Sequence, residues 1–198
     1  IKENLKNYNF HKIYKELLNF CTLELSSFYF DIRKDALYCD SLDSKKRKAC
    51  IKVLNIVLEC LLKWLAPIFV FTSEEIFSLI NKTNESIHEK TFVEIPESWK
   101  DDKLDNKWKD LFKIKQEANI AIEEKRASKE IGSSLEADIE IFVNTNQYNL
   151  LDGLDLAEYF ITSKAQKFEN KGKEEGIKIL VKKSNGTKCP RCWKIIQN

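Results

Sequence analysis

The apolar residues of this 198-residue chain change their period once. From Phe10 they recur every three or four positions, through Ile13, Tyr14, Leu17, Leu18, Cys21, Leu25, Phe28 and Ile32. That spacing predicts one amphipathic helix to about Arg33. A turn-like stretch, Cys39 to Ser44, leads to a basic run and then to Ile51, Leu54, Val57, Leu58, Leu61, Leu62 and Leu65, a second helix stopped by Pro67. Thr72-Ser73-Glu74-Glu75 reads as a capping box opening a third helix, with Ile76, Phe77, Leu79 and Ile80 on its buried face. Trp108, Leu111, Phe112, Lys115, Ala118 and Ile122 mark a fourth, ending near Gly132 as a left-handed cap. Beyond it Ala137, Ile139, Ile141 and Val143 alternate with Asp138, Glu140 and Phe142, the period of a half-buried strand. A short helix at 154–159, strands at 160–167 and 176–183, and an Asn185-Gly186 turn complete the expectation. The fold class is mainly α: a helical bundle over 1–132, a small α/β module over 133–184, and a knuckle over 185–198.

That knuckle is Cys189-Pro190-Arg191-Cys192-Trp193. Two cysteines at this spacing are half of a tetrahedral zinc site, which takes four ligands. A thiol–disulfide pair and two inert cysteines are the competing readings. A redox pair normally opens a helix after a strand, where the dipole lowers one thiol pKa. Here an Asn-Gly turn precedes it and a tryptophan follows, so zinc on Cys189 and Cys192 is favoured. With no downstream pair and no Met anywhere, the chain reads as a fragment of something larger. Lys and Arg number 33 against 31 acidic residues, so affinity for nucleic acid must come from local patches. The longest apolar run, Leu61 to Phe71, is broken by Lys63 and Pro67 and falls short of the roughly 18 residues of a membrane span. Scattered thiols beside a metal-type pair point to a reducing, cytoplasmic setting.

The run Lys45, Lys46, Arg47, Lys48 is either a solvated helix start or a phosphate-binding patch. Positive charge at a helix N-terminus opposes the macrodipole, which tilts the reading toward function. Trp193 beside Lys188, Arg191 and Lys194 joins a stacking surface to cations, a combination suited to unpaired bases. Packing of the ring against the knuckle explains it equally well. The carboxylate pairs Glu74/Glu75 and Glu123/Glu124 are adjacent and do not converge, the Gly residues are isolated, and neither His11 nor His88 partners a nucleophile. No catalytic residue is expected.

Four stretches, in order, resemble bacterial-type isoleucyl-tRNA synthetase: Phe28 to Tyr38, Ala66 to Ile76, Ile131 to Ala137, and Lys188 to Trp193. The Ala-Pro-x-x-x-Phe-Thr-x-Glu-Glu segment alone also resembles valyl- and leucyl-type enzymes, and a stand-alone RNA-binding helical module is a further alternative. The resemblance implies the C-terminal anticodon-binding and zinc-tail region of the synthetase. It implies isoleucine tRNA as partner, zinc at a site incomplete in this chain, and ATP with Mg²⁺ used only by the full-length, monomeric enzyme. It also implies tRNA-binding roles for Lys34, Lys45, Lys46, Arg47, Lys48, Arg126, Arg191 and Trp193, with no catalytic residue here.

Overall fold

In the computed structural model, which describes residues 1–82, 84–170 and 176–196, the helical assignments run from Phe10 to Tyr38 without a gap. After α1 (Lys2–Lys6), α2 (Phe10–Asn19) gives way to a π-helical stretch, Phe20–Phe30, and then to α3 (Asp31–Tyr38). The looser pitch is visible in the Ser27 hydroxyl, which donates to the Thr22 carbonyl five residues back at 2.8 Å. Of the expected face, Ile13, Leu17, Leu25 and Ile32 are buried, whereas Tyr14 and Leu18, both in α2 ahead of that stretch, are exposed. The helix therefore extends five residues past the Arg33 end predicted from the 3.6 period.

Ser44 caps α4 (Lys45–Leu65), its hydroxyl accepting the Arg47 N–H at 3.3 Å. Cys50, Cys60 and Leu62 are its buried residues, and burial pushes the Cys60 thiol above its ordinary pKa. The next helix, α5 (Val70–Asn81), begins before Thr72, so the expected capping box lies inside it. The Glu74 carboxylate instead accepts from the Ser86 hydroxyl at 2.8 Å and the Ile87 N–H at 2.9 Å, securing the 3₁₀ turn Ile87–Glu89. Phe77 is buried with Leu62, Ala66 and Ile87, while Ile76, Leu79 and Ile80 are exposed, unlike the predicted face.

α6 (Asp102–Ala127) opens on Asp101, whose carboxylate accepts the Leu104 N–H at 2.9 Å. Lys129 (φ 60°), not Gly132, takes the left-handed position, and the Glu130 N–H returns to the Lys125 carbonyl at 3.1 Å. Leu111, Ile114, Lys115, Ala118 and Ile122 form the buried face of α6. That face packs against a three-stranded sheet of order β2-β1-β3 and against two short helices. The strands are β1 (Ala137–Val143), β2 (Lys164–Glu169) and β3 (Lys178–Lys183); the helices are α7 (Thr145–Leu150) and α8 (Leu156–Phe160). β1 alternates as its sequence requires, with Ala137, Ile139, Ile141 and Val143 buried. β2 pairs with it in parallel through a crossover carrying α7 and α8, and β3 pairs antiparallel. A second, two-stranded pairing joins β4 (Thr187–Lys188) to β5 (Ile195–Ile196).

The mainly α class with a small α/β part holds. Compactness divides the chain differently from 1–132, 133–184 and 185–198: one unit is Ile1–Phe30 with Asp40–Trp99, the other Asp31–Cys39 with Lys100–Asn198. The long α6 belongs with the sheet because its apolar face is what the sheet buries. Among the described residues no helix is long and apolar enough to cross a membrane.

Candidate nucleic-acid interface

Cys189 and Cys192 lie in the tight loop between β4 and β5. The Cys189 N–H donates to the Lys194 carbonyl at 2.8 Å and the Trp193 N–H to the Cys189 carbonyl at 3.0 Å, with Trp193 in the left-handed region (φ 65°). Closing the loop aims backbone N–H groups at sulfur. Those of Cys192 and Arg191 pull the Cys189 thiol below its ordinary pKa, while burial pushes Cys192 up. The two side chains hydrogen-bond to each other, so both sulfurs face one point. Among the described residues no group of three or more His, Cys, Asp or Glu is placed to hold a metal. The loop therefore brings two thiols to one point, with backbone N–H groups favouring the charged form of Cys189.

Gly186 sets the entry to this hairpin. Its φ is +146°, and a Cβ there would meet the Ile196 carbonyl oxygen at 2.3 Å, which is backbone and cannot step aside. Gly186→Ala is expected to open the β4–β5 pairing, weakening it by about 2 kcal/mol, without unfolding the three-stranded sheet. Hydrogen exchange at the Cys189 N–H checks this, with β1 amides as the internal control.

The knuckle is fastened to α3, within the second unit. Arg191 donates from Nε and Nη2 to the Tyr38 carbonyl at 3.2 and 2.8 Å, satisfying the last carbonyl of the helix with a cation. Lys194 pairs with Asp35 at 2.7 Å; burial works against its charge, but the Asp35 hydrogen bond and charge, with the charges of Asp155 and Cys192, together outweigh it and hold the pKa above the usual lysine value. From the β5 side, the Ile195 N–H donates to the Ser163 hydroxyl at 2.6 Å, and Ser163 donates to the Leu135 carbonyl at 2.5 Å. Arg33 reaches Glu158 of α8 at 3.3 Å, a nearly buried carboxylate.

A cleft of about 590 Å³ lies between these elements, lined by Lys34, Tyr38, Leu135, Arg191 and Trp193 among others. Tyr38 is 73% exposed and Trp193 61% exposed, so both rings present open faces. The Lys188 ammonium sits 5.7 Å from the Trp193 ring centre. The Trp193 ring is thus largely open to solvent, with Lys188 of the same hairpin beside it.

Three of the sequence-derived residues thus meet at one cleft: Lys34, which pairs with Asp31 at 2.5 Å, Arg191 and Trp193. Arg126 belongs to the same unit but lines a separate depression with Lys129, paired to Glu123 at 2.5 Å. The run 45–48 belongs to the first unit. Arg47 donates to the Asp40 carbonyl at 2.9 Å and Lys48 pairs with Asp43 at 3.0 Å, while Lys45 and Lys46 are exposed. Asp40, Asp43 and Ser44 together offset the unfavourable charge at the start of α4. Sequence reading missed Tyr38, Asp35 and Ser163, whose partners lie far away in the chain.

A family model described as the anticodon-binding domain of tRNA ligase matches residues 1–141. The chain is 56% identical over 194 residues to an isoleucine–tRNA ligase of Pelagibacter ubique, covering 98% of this chain and 21% of that protein. It is 39% identical over 204 residues to the enzyme of that name in Agrobacterium fabrum, covering 98% and 21%. For the one in Methylacidiphilum infernorum the figures are 41% over 189 residues, 96% and 20%. The chain spans about a fifth of the length of the curated relatives it matches. With a match across most of its length and a fold that fits, the chain belongs to the family of anticodon-binding domains of tRNA ligases.

Proposed function

We propose that this chain is the tRNA-binding part of an isoleucine–tRNA ligase and that it takes hold of the anticodon region of isoleucine tRNA. The whole enzyme attaches isoleucine to that tRNA using ATP and Mg²⁺, as a cytoplasmic monomer, with the reaction carried by parts outside this chain. Residues 1–132 serve anticodon binding, 133–184 form a junction, and 185–198 carry the metal knuckle. The observation that carries the reading is the meeting of Lys34, Arg191 and Trp193 at one cleft, in a chain of this family. Trp193 and Tyr38 offer faces for an unpaired base, and Lys34 and Lys188 offer charge for its phosphate. Arg191 acts chiefly by fixing the knuckle to the end of α3.

Cys189 and Cys192 hold a structural zinc in this reading, as two of its four donors. Zinc bound there would stiffen the loop that presents Trp193. A cobalt(II) titration of the purified chain should give thiolate charge-transfer absorption that disappears in Cys189→Ser and in Cys192→Ser. Equal spectra for the three proteins would remove the metal assignment.

In a filter-binding assay with isoleucine tRNA, Trp193→Ala should weaken binding about 5- to 100-fold. Replacing Lys45, Lys46, Arg47 and Lys48 together by alanine should weaken binding to all tRNAs and flatten the salt dependence of log K by up to about 3. An unchanged slope would return the run to a solvated helix start. Unchanged affinity in Trp193→Ala would take the base-binding role from the cleft.

A further inference from the structure

The outward face of the three-stranded sheet does not look like ordinary solvated surface. By register, its side chains form three rows across β2, β1 and β3: Lys164, Asp138, Lys182; Gln166, Glu140, Leu180; and Phe168, Phe142, Lys178. The inner positions of β1 are buried, so these rows are the other side of the pleat. A sheet facing only water would carry polar residues throughout. Instead Phe142 and Phe168 stack nearly parallel, with ring centres 5.1 Å apart and 19° between planes, and Phe168 and Leu180 remain 40% and 38% exposed.

A cross-strand aromatic pair stabilises a sheet by about 0.2–1 kcal/mol, and that alone would account for Phe142 beside Phe168. Two further observations go beyond it. Among the described residues β2 is an edge strand of its sheet, so the parallel stack ends at Phe168. The charges are also arranged around the rings. Both acids of the face are engaged within it, Glu140 by Lys182 at 2.5 Å and Asp138 by the Ser184 hydroxyl. Lys164 and Lys178 are exposed and make no ion pair among the described residues. The face is thus a flat aromatic end with an amide donor one row away and two exposed cations, Lys164 and Lys178.

The geometry points to this face as a second RNA contact, at which an unpaired nucleotide of the tRNA stacks its base on Phe168 and sets its phosphates against Lys178 and Lys164. An aromatic or proline-rich peptide would use the rings but has no need of the cations. A nucleotide uses both, because every base has a π-face and every linkage a negative charge. Gln166, with both a donor and an acceptor, stands one row from Phe168 where it meets a base edge. This inference rests on the reading of the chain as tRNA-binding, and its test separates the two.

The test is filter binding of the purified 198-residue chain to isoleucine tRNA and to octauridylate, an unstructured RNA. Phe168→Ala is expected to lose about 5- to 100-fold in affinity for both, and Phe168→Trp to keep or exceed the original affinity. Lys164→Ala with Lys178→Ala, neither of which touches the core, should lower the salt slope of log K by about 1.5. If Phe168→Ala and the double lysine variant bind tRNA as tightly as the parent while Trp193→Ala does not, the sheet face is overturned and the cleft stands. If Phe168→Trp is as weak as Phe168→Ala, stacking is overturned. If the parent chain binds neither RNA, both readings fall.

Discussion

Phe160→Ala should cost the second unit about 3–5 kcal/mol, the range for deleting a fully buried ring. Phe160 is 1% exposed and ends α8, its ring meeting that of Tyr159 edge-on at 4.9 Å and 74°. The next residue, Ile161, turns the chain through the left-handed region (φ 58°) toward β2. A cavity there would be hard to fill, because α8 is packed against β2, α6 and α3, which would all have to shift. The effect should reach the cleft, since α8 carries Glu158 to Arg33 and the turn after it carries Ser163 to Ile195. Hydrogen exchange of the β1 amides in increasing urea isolates this unit from the other. A loss below about 1 kcal/mol would show that the ring is not part of the core that holds β1.

Lys115 predicts a rise in stability between about pH 8 and pH 10. Its side chain enters the interior from α6, 7% exposed, and donates to the Tyr159 carbonyl at 2.5 Å with its ammonium 5.0 Å from the Tyr159 ring centre. Burial brings its pKa down from 10.5 to about 8, against the opposing pull of Asp31. Between those values the unfolded chain holds a proton that the folded chain has released, so folding is favoured as pH rises through the window. The gap between the two values corresponds to a change on the order of 3 kcal/mol. Below about pH 8 both states carry the proton, and the cost of burying it is felt in full. Comparison with Lys115→Met removes background from other groups, including the Tyr159 hydroxyl, whose pKa burial also raises. Urea midpoints across this range should climb for the parent relative to Lys115→Met. Parallel curves would mean that Lys115 stays charged in the folded state.

What the sequence disclosed was mostly local. The alternation from Ala137 to Val143 states its own answer, because a strand buried on one face permits no other pattern. The Cys189-to-Trp193 loop was legible for the same reason, its geometry being held by bonds among neighbours. Thr72 to Glu75 misled because a capping box and the inside of a helix carry the same letters, and the Glu74 partner is a turn 12 residues away. The end of α6 misled because Lys129, held by the Lys125–Glu130 ion pair, occupies a conformation usually left to glycine. The period of 3.6 cannot foresee a π-helical stretch, so the change of pitch at Phe20–Phe30 was not read, although Leu25 and Ile32 are buried as that period expects. In the cleft, Arg191 was singled out for its charge, but its role at the end of α3 depends on a carbonyl 153 residues away. Long-range partners of that kind leave no mark on the letters around them.

The interleaving of the two units has a consequence for the order in which the chain acquires its shape at the ribosome. The first unit is drawn from Ile1–Phe30 and Asp40–Trp99, whereas the segment Asp31–Cys39 belongs with Lys100–Asn198. Arg33 is made 125 residues before Glu158, its partner. At synthesis rates of about 5–20 residues per second, α3 waits roughly 6 to 25 seconds for the surface it packs on. One piece of the later unit is thus already out before its partners in that unit have been made. During that interval Ile32 and Ala36, both buried at the end, are open to water and to whatever chaperone attends the exit tunnel.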